Sequence, residues 1–205
     1  MTQEQDIRQA IEVLRRGGVI LYPTDTVWGI GCDATNSEAV RRVYQIKQRD
    51  DSKALICLVD SDVRMQRYVR DVPEVAWQLI DAVEERGTSR EERGAKSRVG
   101  SPITLVLDGA SGLAPELLAE DGTVGIRITH EPFSRELCYR FQKPLVSTSA
   151  NISGEPAAQN YRDISEDILN AVDYVCFSRR QEHQPHQPSS VIKIGRGGEV
   201  VVIRK

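Results

Sequence analysis

The chain has 205 residues, and its 27 lysines and arginines against 30 aspartates and glutamates give a formal net charge of −3. Its composition, 40% hydrophobic and 28% charged, is typical of a globular protein with a solvated surface. No segment approaches the roughly 20 apolar residues of a membrane span. The charge excludes a uniformly basic nucleic-acid binder, so any RNA contact would need a local basic patch.

The length predicts one domain that spans residues 1–205. The N-terminal stretch MTQEQDIRQA is polar and acidic rather than a secretory signal, and we expect a cytoplasmic protein. The four cysteines lie far apart and form no CxxC pair, a pattern that favours neither a disulfide nor a metal site.

Hydrophobic periodicity predicts helices and strands that alternate along the chain. The predicted elements, in order, are a helix at 4–16, a strand at 19–22, a helix from Asn36, a strand at 54–59, a helix at 73–85, strands at 103–107 and 123–129, a helix at 131–142, a strand at 145–148, a helix near 160–171, a strand at 173–177 and a C-terminal hairpin. The mixed-charge segment 84–98 predicts a flexible loop. This alternation is typical of an α/β sheet of mixed strand direction covered by helices.

Four polar clusters are expected at the ends of apolar strands, where open α/β sheets form their ligand crevices. They are Thr24-Asp25-Thr26, Lys47-Gln48-Arg49 with Lys53, STSANISG at 147–154 and Pro188-Ser189-Ser190. Each alone also fits an ordinary turn, helix end or strand start. Together, their hydroxyls, amides and cations favour a pocket for a polar, phosphate-bearing small molecule.

Several familiar catalytic motifs are missing from the sequence. It contains no GxxxxGK[ST], GxGxxG or GxSxG motif. His183 and His186 form an HxxH, but in a polar stretch of prolines and glutamines that is unlike a metal site. Since no Ser-His-Asp or Cys-His arrangement is recognisable, we expect neither a protein-bound metal nor a covalent protein nucleophile.

The ordered set of motifs resembles the YrdC-like family of threonylcarbamoyl-AMP synthases. The matching motifs are LYPTDTVWG at 21–29, KQR at 47–49, GTVGIR at 122–127, STSANISG at 147–154 and PSS at 188–190. The resemblance covers essentially the whole chain and points to the short, single-domain form. It implies an α/β fold with a twisted, open mixed sheet, helices packed on it and a concave ligand-binding face.

The resemblance also implies an activity. ATP, L-threonine and bicarbonate would give threonylcarbamoyl-AMP and pyrophosphate, with Mg²⁺ accompanying the ATP. The product would supply a tRNA threonylcarbamoyl-transferase machinery that forms N6-threonylcarbamoyladenosine beside the anticodon of certain tRNAs.

Two groups of ligand contacts follow from the resemblance by position. The ATP contacts would be Lys47, Arg49, Lys53, Thr123, Asn151 and Arg204, with Lys47 and Arg49 as the catalytic cations on the phosphates. The threonine contacts would be Thr26, Arg127, Ser149 and Ser189. On this reading the loop after the first strand presents the Thr26 hydroxyl to a small hydroxy-amino acid, and its glycines let the backbone come close.

The sequence departs from the common family pattern at four places. Lys53 stands where many members have the asparagine of an Asn-Pro-Leu, and Leu58 stands where many have a histidine, which leaves one threonine contact open. GSPIT at 100–104 replaces Pro-Gly-Pro-x-Thr, and Pro188-Ser189-Ser190 replaces Pro-Ser-Thr. The strongest motifs are intact, which indicates subfamily changes rather than a lost site.

Two other functions fit parts of the pattern. A double-stranded RNA-binding module would use the cations Arg41, Arg42, Lys47, Arg49 and Lys53, although no stacking aromatic residues interleave with them. A carbamoyl-transfer enzyme of the same fold would belong to a longer chain with cysteine-rich zinc modules, which this sequence lacks. The motif set favours the synthase over both.

Overall fold

A computed structural model describes residues 1–48, 55–91, 102–182 and 188–205. The helices are α1 (Gln3–Arg15), α2 (Ser37–Ile46), α3 (Asp62–Gln66), α4 (Glu74–Glu91), α5 (Pro132–Phe141) and α6 (Glu166–Ala171). The strands are β1 (Ile20–Tyr22), β2 (Gly29–Gly31), β3 (Ile56–Val59), β4 (Ile103–Leu107), β5 (Val124–Ile128), β6 (Leu145–Ser149), β7 (Tyr174–Val175), β8 (Ser190–Ile194) and β9 (Val200–Arg204). No helix among these residues is long and apolar enough to cross a bilayer.

The described strands form one open sheet in the order β7-β1-β2-β6-β3-β5-β4-β8-β9. The pairs β1–β7, β3–β5 and β4–β8 are parallel, and the other neighbours are antiparallel. The predicted α/β class with an open sheet of mixed direction is therefore confirmed.

Alternating side chains of the strands supply two separate hydrophobic cores. Leu21 of β1 and Cys57 of β3 belong to one core, which also takes in apolar side chains of α2 and α4. Ile20, the neighbour of Leu21 on β1, and Leu58, the neighbour of Cys57 on β3, belong to the second core. Apolar residues of α1 and α5 complete that core. Successive strand side chains point to opposite faces, so α1 and α5 cover the Leu58 face of the sheet.

The sequence of helix α1 supplies a capping box at its start and a glycine after its end. At its start the amide of Gln5 donates to Thr2 Oγ1 at 3.2 Å, and the amide of Thr2 donates to Gln5 Oε1 at 2.9 Å. Such a capping box typically contributes about 1 kcal/mol. Past the helix, Gly17 adopts a φ of 79°, a backbone conformation that glycine tolerates best.

Strand β2 was not predicted, because glycine is a poor strand former. A Cβ on Gly31 would lie 2.4 Å from the carbonyl oxygen of Val146 and 2.6 Å from the Tyr22 ring. The glycine is therefore needed for close packing between strands. Gly29, by contrast, does line a cleft, as the sequence interpretation expected of this loop.

Three helical segments also differ from the prediction. The short helix α3 was not predicted. The helix expected near 160–171 is divided into a 3₁₀ turn at Tyr161–Asp163 and helix α6. The division occurs because the Ser165 hydroxyl accepts from the amide of Ile168 and so begins a new helix. Helix α4 continues to Glu91 rather than ending at 85. The loop predicted at 84–98 is thus helical as far as 91, since Glu and Arg are good helix formers, and residues 92–98 lie outside the described residues.

Candidate functional site

A cleft of about 410 Å³ lies on the face of the sheet to which Leu58 points. It lies beside Ile56, which is two residues earlier on β3, points to the same face and is only partly buried. Its volume suits a small-molecule site. Seven strands contribute to it, namely β2, β3, β4, β5, β6, β8 and β9. Its polar lining residues are Thr26, Thr104, Thr123, Arg127, Ser147, Thr148, Ser149, Asn151, Glu155, Ser189 and Arg204. Seven of the ten residues predicted from the resemblance are therefore brought together in one cavity.

Thr26 is oriented by a short chain of hydroxyl contacts in the loop after β1. Thr24 Oγ1 donates to the carbonyl of Val27 at 2.8 Å and accepts from the amide of Thr26 at 3.1 Å. Thr26 Oγ1 lies 3.0 Å from Thr24 Oγ1. A hydroxyl has one proton, and that of Thr24 goes to Val27, so Thr26 must donate to Thr24. The lone pairs of Thr26 therefore remain for a ligand donor.

Arg127 of β5 lines the cleft from a nearly buried position, with a side chain that is 4% exposed. Its Nη2 lies 3.2 Å from Oδ1 of Asp25, whose side chain is 8% exposed. The contact is an ion pair and not a hydrogen bond, and within the described chain neither Asp25 Oδ1 nor Arg127 Nε has a hydrogen-bond partner. An unsatisfied buried guanidinium nitrogen is costly unless a ligand accepts from it, and a carboxylate is the natural acceptor.

Lys47 holds the turn that follows β6. Its ammonium donates to the carbonyl oxygens of Ser149 at 2.5 Å and Asn151 at 2.7 Å, and its own carbonyl accepts from the amide of Ser153 at 2.9 Å. The residue is 1% exposed and does not line the cleft. Lys47 is therefore buried rather than exposed on the surface, because its long side chain passes inward from the C-terminal end of α2.

Asn151 presents an acceptor rather than a donor. Its amide nitrogen donates to the carbonyl oxygens of Ile152 at 2.9 Å and Glu155 at 2.7 Å. Its Oδ1 is buried and has no hydrogen-bond partner within the described chain. Because both amide protons are used, the side chain fits a ligand that donates a proton.

Thr123 lines the cleft beside an ion pair. Its hydroxyl donates to Asp121 Oδ1 at 2.6 Å, and the Lys193 ammonium contacts the other carboxylate oxygen. The Lys193 and Thr123 contacts hold the pKa of Asp121 well below its ordinary range. Asp121 therefore stays an acceptor at neutral pH, so Thr123 keeps its lone pairs toward the cleft.

Ser189 and Arg204 line the cleft as a linked pair. Ser189 Oγ lies 2.8 Å from Thr104 Oγ1, and both side chains are buried. The Arg204 guanidinium donates to the backbone carbonyl of Ser189 through Nε at 3.1 Å and Nη2 at 2.9 Å. Arg204 thus fixes the position of Ser189 as well as lining the cleft.

Three features named in the sequence analysis are not among the described residues that line the cleft. Arg49 and Lys53 lie outside the described residues, as do His183 and His186 of the HxxH. Leu58, where many relatives have a histidine, is fully buried in the core of α1 and α5 and does not reach the cleft. The described residues contain no group of three His, Cys, Asp or Glu that could hold a metal ion.

Sequence reasoning missed Thr104 and Glu155 as lining residues and Asp25 as the partner of Arg127. Thr104 and Val106 alternate with Leu105 and Leu107 of β4, so the strand period was the available signal for the first of them. The pairing of Asp25 with Arg127 spans about half the chain and leaves no local signal.

The family model described as "Telomere recombination", for the Sua5, YciO and YrdC proteins, matches residues 12–205. The chain belongs to this family. A protein of Vibrio cholerae named threonylcarbamoyl-AMP synthase is 32% identical over 192 residues, which are 93% of this chain and 94% of that protein. One of the same name from Pseudoalteromonas translucida is 33% identical over 174 residues, 85% and 86% of the two chains.

The fold of the Sua5, YciO and YrdC family is also recognised among solved structures. The crystal structure of P. abyssi Sua5 complexed with L-threonine has a TM-score of 0.76 at 23% identity, over 95% of this chain and 52% of that one. At this identity the likeness establishes the shared fold. The predicted YrdC-like family and fold are both confirmed.

Proposed function

We propose that this protein is a threonylcarbamoyl-AMP synthase, a nucleotidyltransferase that makes threonylcarbamoyl-AMP and pyrophosphate from ATP, L-threonine and bicarbonate. The observation that carries the proposal is the meeting, in one cleft, of a buried Arg127 guanidinium, whose Nε has no hydrogen-bond partner among the described residues, and oriented hydroxyls at Thr26 and Ser189. The relatives with the same name cover nearly the whole chain and support it.

L-threonine fits the part of the cleft near Arg127. A zwitterionic amino acid offers a carboxylate, which Arg127 Nε would bind, and an amine and a hydroxyl that donate protons. Thr26, with its proton committed to Thr24, accepts such a proton. Ser149 and Ser189 supply further hydroxyls on either side. Complementary donors and acceptors of this kind favour a small hydroxy-amino acid over an apolar one.

The nucleotide would occupy the wall formed by Thr123, Asn151 and Arg204. Thr123 and Asn151 present acceptors, which suit the exocyclic amine or ribose hydroxyls of ATP. Arg204 is a cation at the same wall, and Arg49 and Lys53 would add charge on the phosphates. Lys47 would act by holding the turn of Ser149 and Asn151 rather than by reaching a phosphate itself.

The reaction needs no protein nucleophile. The neutral threonine amine adds to carbon dioxide, formed by dehydration of bicarbonate, and gives a carbamate with release of a proton. A carbamate oxygen then attacks the α-phosphorus of ATP, the bond to the bridging oxygen breaks, and pyrophosphate leaves with that electron pair. The protein positions the reactants and neutralises charge, and orientation alone can lower a barrier by roughly 7–11 kcal/mol.

Mg²⁺ would enter with ATP and neutralise the triphosphate. The described residues offer no cluster of acidic or histidine ligands for a resident ion. The metal is thus proposed as part of the nucleotide substrate, and the protein's own contribution remains the hydroxyls, amides and guanidinium groups of the cleft.

The wider role follows from the product. We place the protein in the cytoplasm, where its product would be used by a tRNA threonylcarbamoyl-transferase. A separate RNA-binding role gains little support, since two of the cations proposed for it are engaged elsewhere. Arg41 pairs with Glu116 at 3.1 Å, and Arg42 pairs with Asp173 at 2.5 Å.

Pyrophosphate release tests the proposal against both alternatives. Purified protein with Mg²⁺ and ATP should release pyrophosphate only when L-threonine and bicarbonate are both present. An RNA-binding module would release none, and a carbamoyl-transfer enzyme would require carbamoyl phosphate. Release that ignores threonine would refute the proposal.

A further inference from the structure

Arg179 connects the loop that carries Thr26 with two acidic residues. Its Nη1 donates to the backbone carbonyl of Thr24 at 2.9 Å and lies 3.0 Å from Glu131 Oε1. Its Nε and Nη2 contact the Glu182 carboxylate at 2.7–2.9 Å. The side chain is 20% exposed and lies outside the cleft, behind the loop. A branched, planar donor is thus bound to three acceptors at once.

The backbone around Arg179 is itself held in place. Asp6 of α1 is fully buried and accepts from the amides of Phe177 at 2.9 Å and Ser178 at 2.6 Å. Arg179 follows with a φ of 62°, which non-glycine residues rarely adopt. The guanidinium therefore extends from a fixed platform toward Thr24.

Glu131 links the same guanidinium to the strand that carries Arg127. Its carboxylate caps α5 by accepting from the amides of Phe133 at 3.1 Å and Ser134 at 2.7 Å. The Ser134 hydroxyl lies 2.8 Å from that of Thr129, just past the end of β5. Arg179 thus bridges the Thr26 loop and the end of β5, which bring the two proposed threonine contacts Thr26 and Arg127 to the cleft.

We infer that Arg179 is a positioning residue for threonine. It fixes the carbonyl of Thr24, and Thr24 in turn accepts from the amide and the hydroxyl of Thr26. This inference rests on the proposed function for its ligand, but its structural content is independent: Arg179 holds the loop at 23–27 in the geometry that aims Thr26 into the cleft.

Arg42 provides a matched control at the other end of β1. Its guanidinium donates to both carboxylate oxygens of Asp173 and to the carbonyl of Ala171, and Asp173 accepts from the amide of Val19 at 2.7 Å. Arg42 lies outside the cleft. Arg42→Met therefore removes a similar number of guanidinium contacts, next to the residue that precedes β1, without touching the Thr26 loop.

The experiment compares Arg179→Met, Arg179→Lys and Arg42→Met with the unmodified protein. We expect Arg179→Met to raise the KM for threonine about 10- to 100-fold, with the KM for ATP within about twofold, because a misplaced positioning group weakens one substrate selectively. Arg179→Lys keeps the charge but not the three-way fork and should fall in between. Arg42→Met should leave both KM values unchanged. Equal changes in both KM values, or none, would overturn the inference.

Amide hydrogen exchange separates this inference from the proposed function. In Arg179→Met the amides at 24–27 should exchange at least about tenfold faster than in the unmodified protein or Arg42→Met, because their hydrogen-bonded loop opens more often. If no variant uses threonine but the exchange differs as expected, the proposed function fails and the positioning role stands. Equal exchange in all three proteins overturns the positioning role whatever the substrate.

Discussion

The ammonium of Lys47 lies 2.7 Å from the carbonyl oxygen of Asn151, so a buried cation holds the turn that carries a proposed nucleotide contact. The same ammonium holds the carbonyl of Ser149, a proposed threonine contact. One lysine at the end of α2 therefore fixes both substrate walls, although it does not line the cleft.

Lys47→Met should weaken both folding and catalysis. The substitution leaves two carbonyl oxygens without their donor, and an unsatisfied buried polar group costs about 1–3 kcal/mol. We expect the free energy of unfolding, measured with denaturant, to fall by roughly 2–4 kcal/mol. We also expect kcat/KM to fall for ATP and for threonine together, because both walls move.

Lys143→Met is the control for this substitution. Lys143 likewise has an oxygen partner for its ammonium, the Asp33 carboxylate at 2.6 Å, but its side chain is 47% exposed. A pair exposed to this degree contributes at most about 1 kcal/mol. Full stability in Lys47→Met, or a loss no larger than in Lys143→Met, would contradict the buried role.

Thr26→Val should act mainly on threonine. The substitution removes the acceptor in the cleft and the proton that Thr26 gives to Thr24. We expect the KM for threonine to rise about tenfold or more, in line with an unpaired polar group of roughly 1–3 kcal/mol, while the KM for ATP changes little. Thr26→Ser should restore most of the affinity.

The matched control for Thr26 is Thr35→Val. The Thr35 hydroxyl donates to Asp33 Oδ1 at 2.7 Å, outside the cleft. Steady-state kinetics with each substrate varied in turn would give the KM values of both variants for threonine and for ATP. A threonine KM that responds equally to both substitutions would remove Thr26 from the site.

Arg127→Lys should separate charge from geometry. Lysine keeps the charge beside Asp25 but lacks the planar fork that binds a carboxylate in two places. We expect kcat/KM for threonine to fall by about 100-fold, which corresponds to roughly 2.7 kcal/mol.

Arg64→Lys provides the comparison for Arg127. Arg64 Nε lies 2.9 Å from Asp60, with side chains that are 6% and 7% exposed, in a buried pair outside the cleft. Arg64→Lys should lower stability, as Arg127→Lys does, yet leave the threonine KM unchanged. A similar kinetic loss in both proteins would mean that Arg127 acts only through folding.

The buried cysteines predict a clear reactivity pattern. Burial raises the pKa of the Cys57 thiol to about 12, and burial also raises the pKa of the other three, Cys32, Cys138 and Cys176. The thiolate is the reactive form, and it becomes populated only as the pH approaches the raised pKa. At pH 8 a disulfide reagent should therefore label none of them rapidly in the folded protein and all four in denaturant. Rapid labelling of the folded protein would contradict the packing around them.

Much of the fold was predictable because its strands are continuous apolar runs. Strand β4, with Leu105 and Leu107 buried, was predicted at its observed bounds of 103–107. Strand β2 was not, because Gly29 and Gly31 carry no side chain to show a period. Its place between β1 and β6 depends on contacts with Tyr22 and Val146 that only the folded chain creates.

The site was predictable at the level of residue types and less so at the level of roles. Polar residues at strand ends, such as Thr26 and Ser189, do line the cleft. The role of Lys47 was not predictable, because a lysine at a helix end looks the same in sequence whether it faces solvent or folds inward. Its direction is set by carbonyl oxygens more than a hundred residues away.

The most direct measurement follows the carbon of bicarbonate into the product. Protein supplied with Mg²⁺, ATP, L-threonine and ¹³C-bicarbonate should form an adenylate that mass spectrometry detects as threonylcarbamoyl-AMP, heavier by the labelled carbon than the product from unlabelled bicarbonate. Formation should stop when threonine is omitted and fall sharply in Arg127→Lys. A threonyl adenylate that contains no labelled carbon, or AMP formation that ignores threonine, would contradict the proposed synthase.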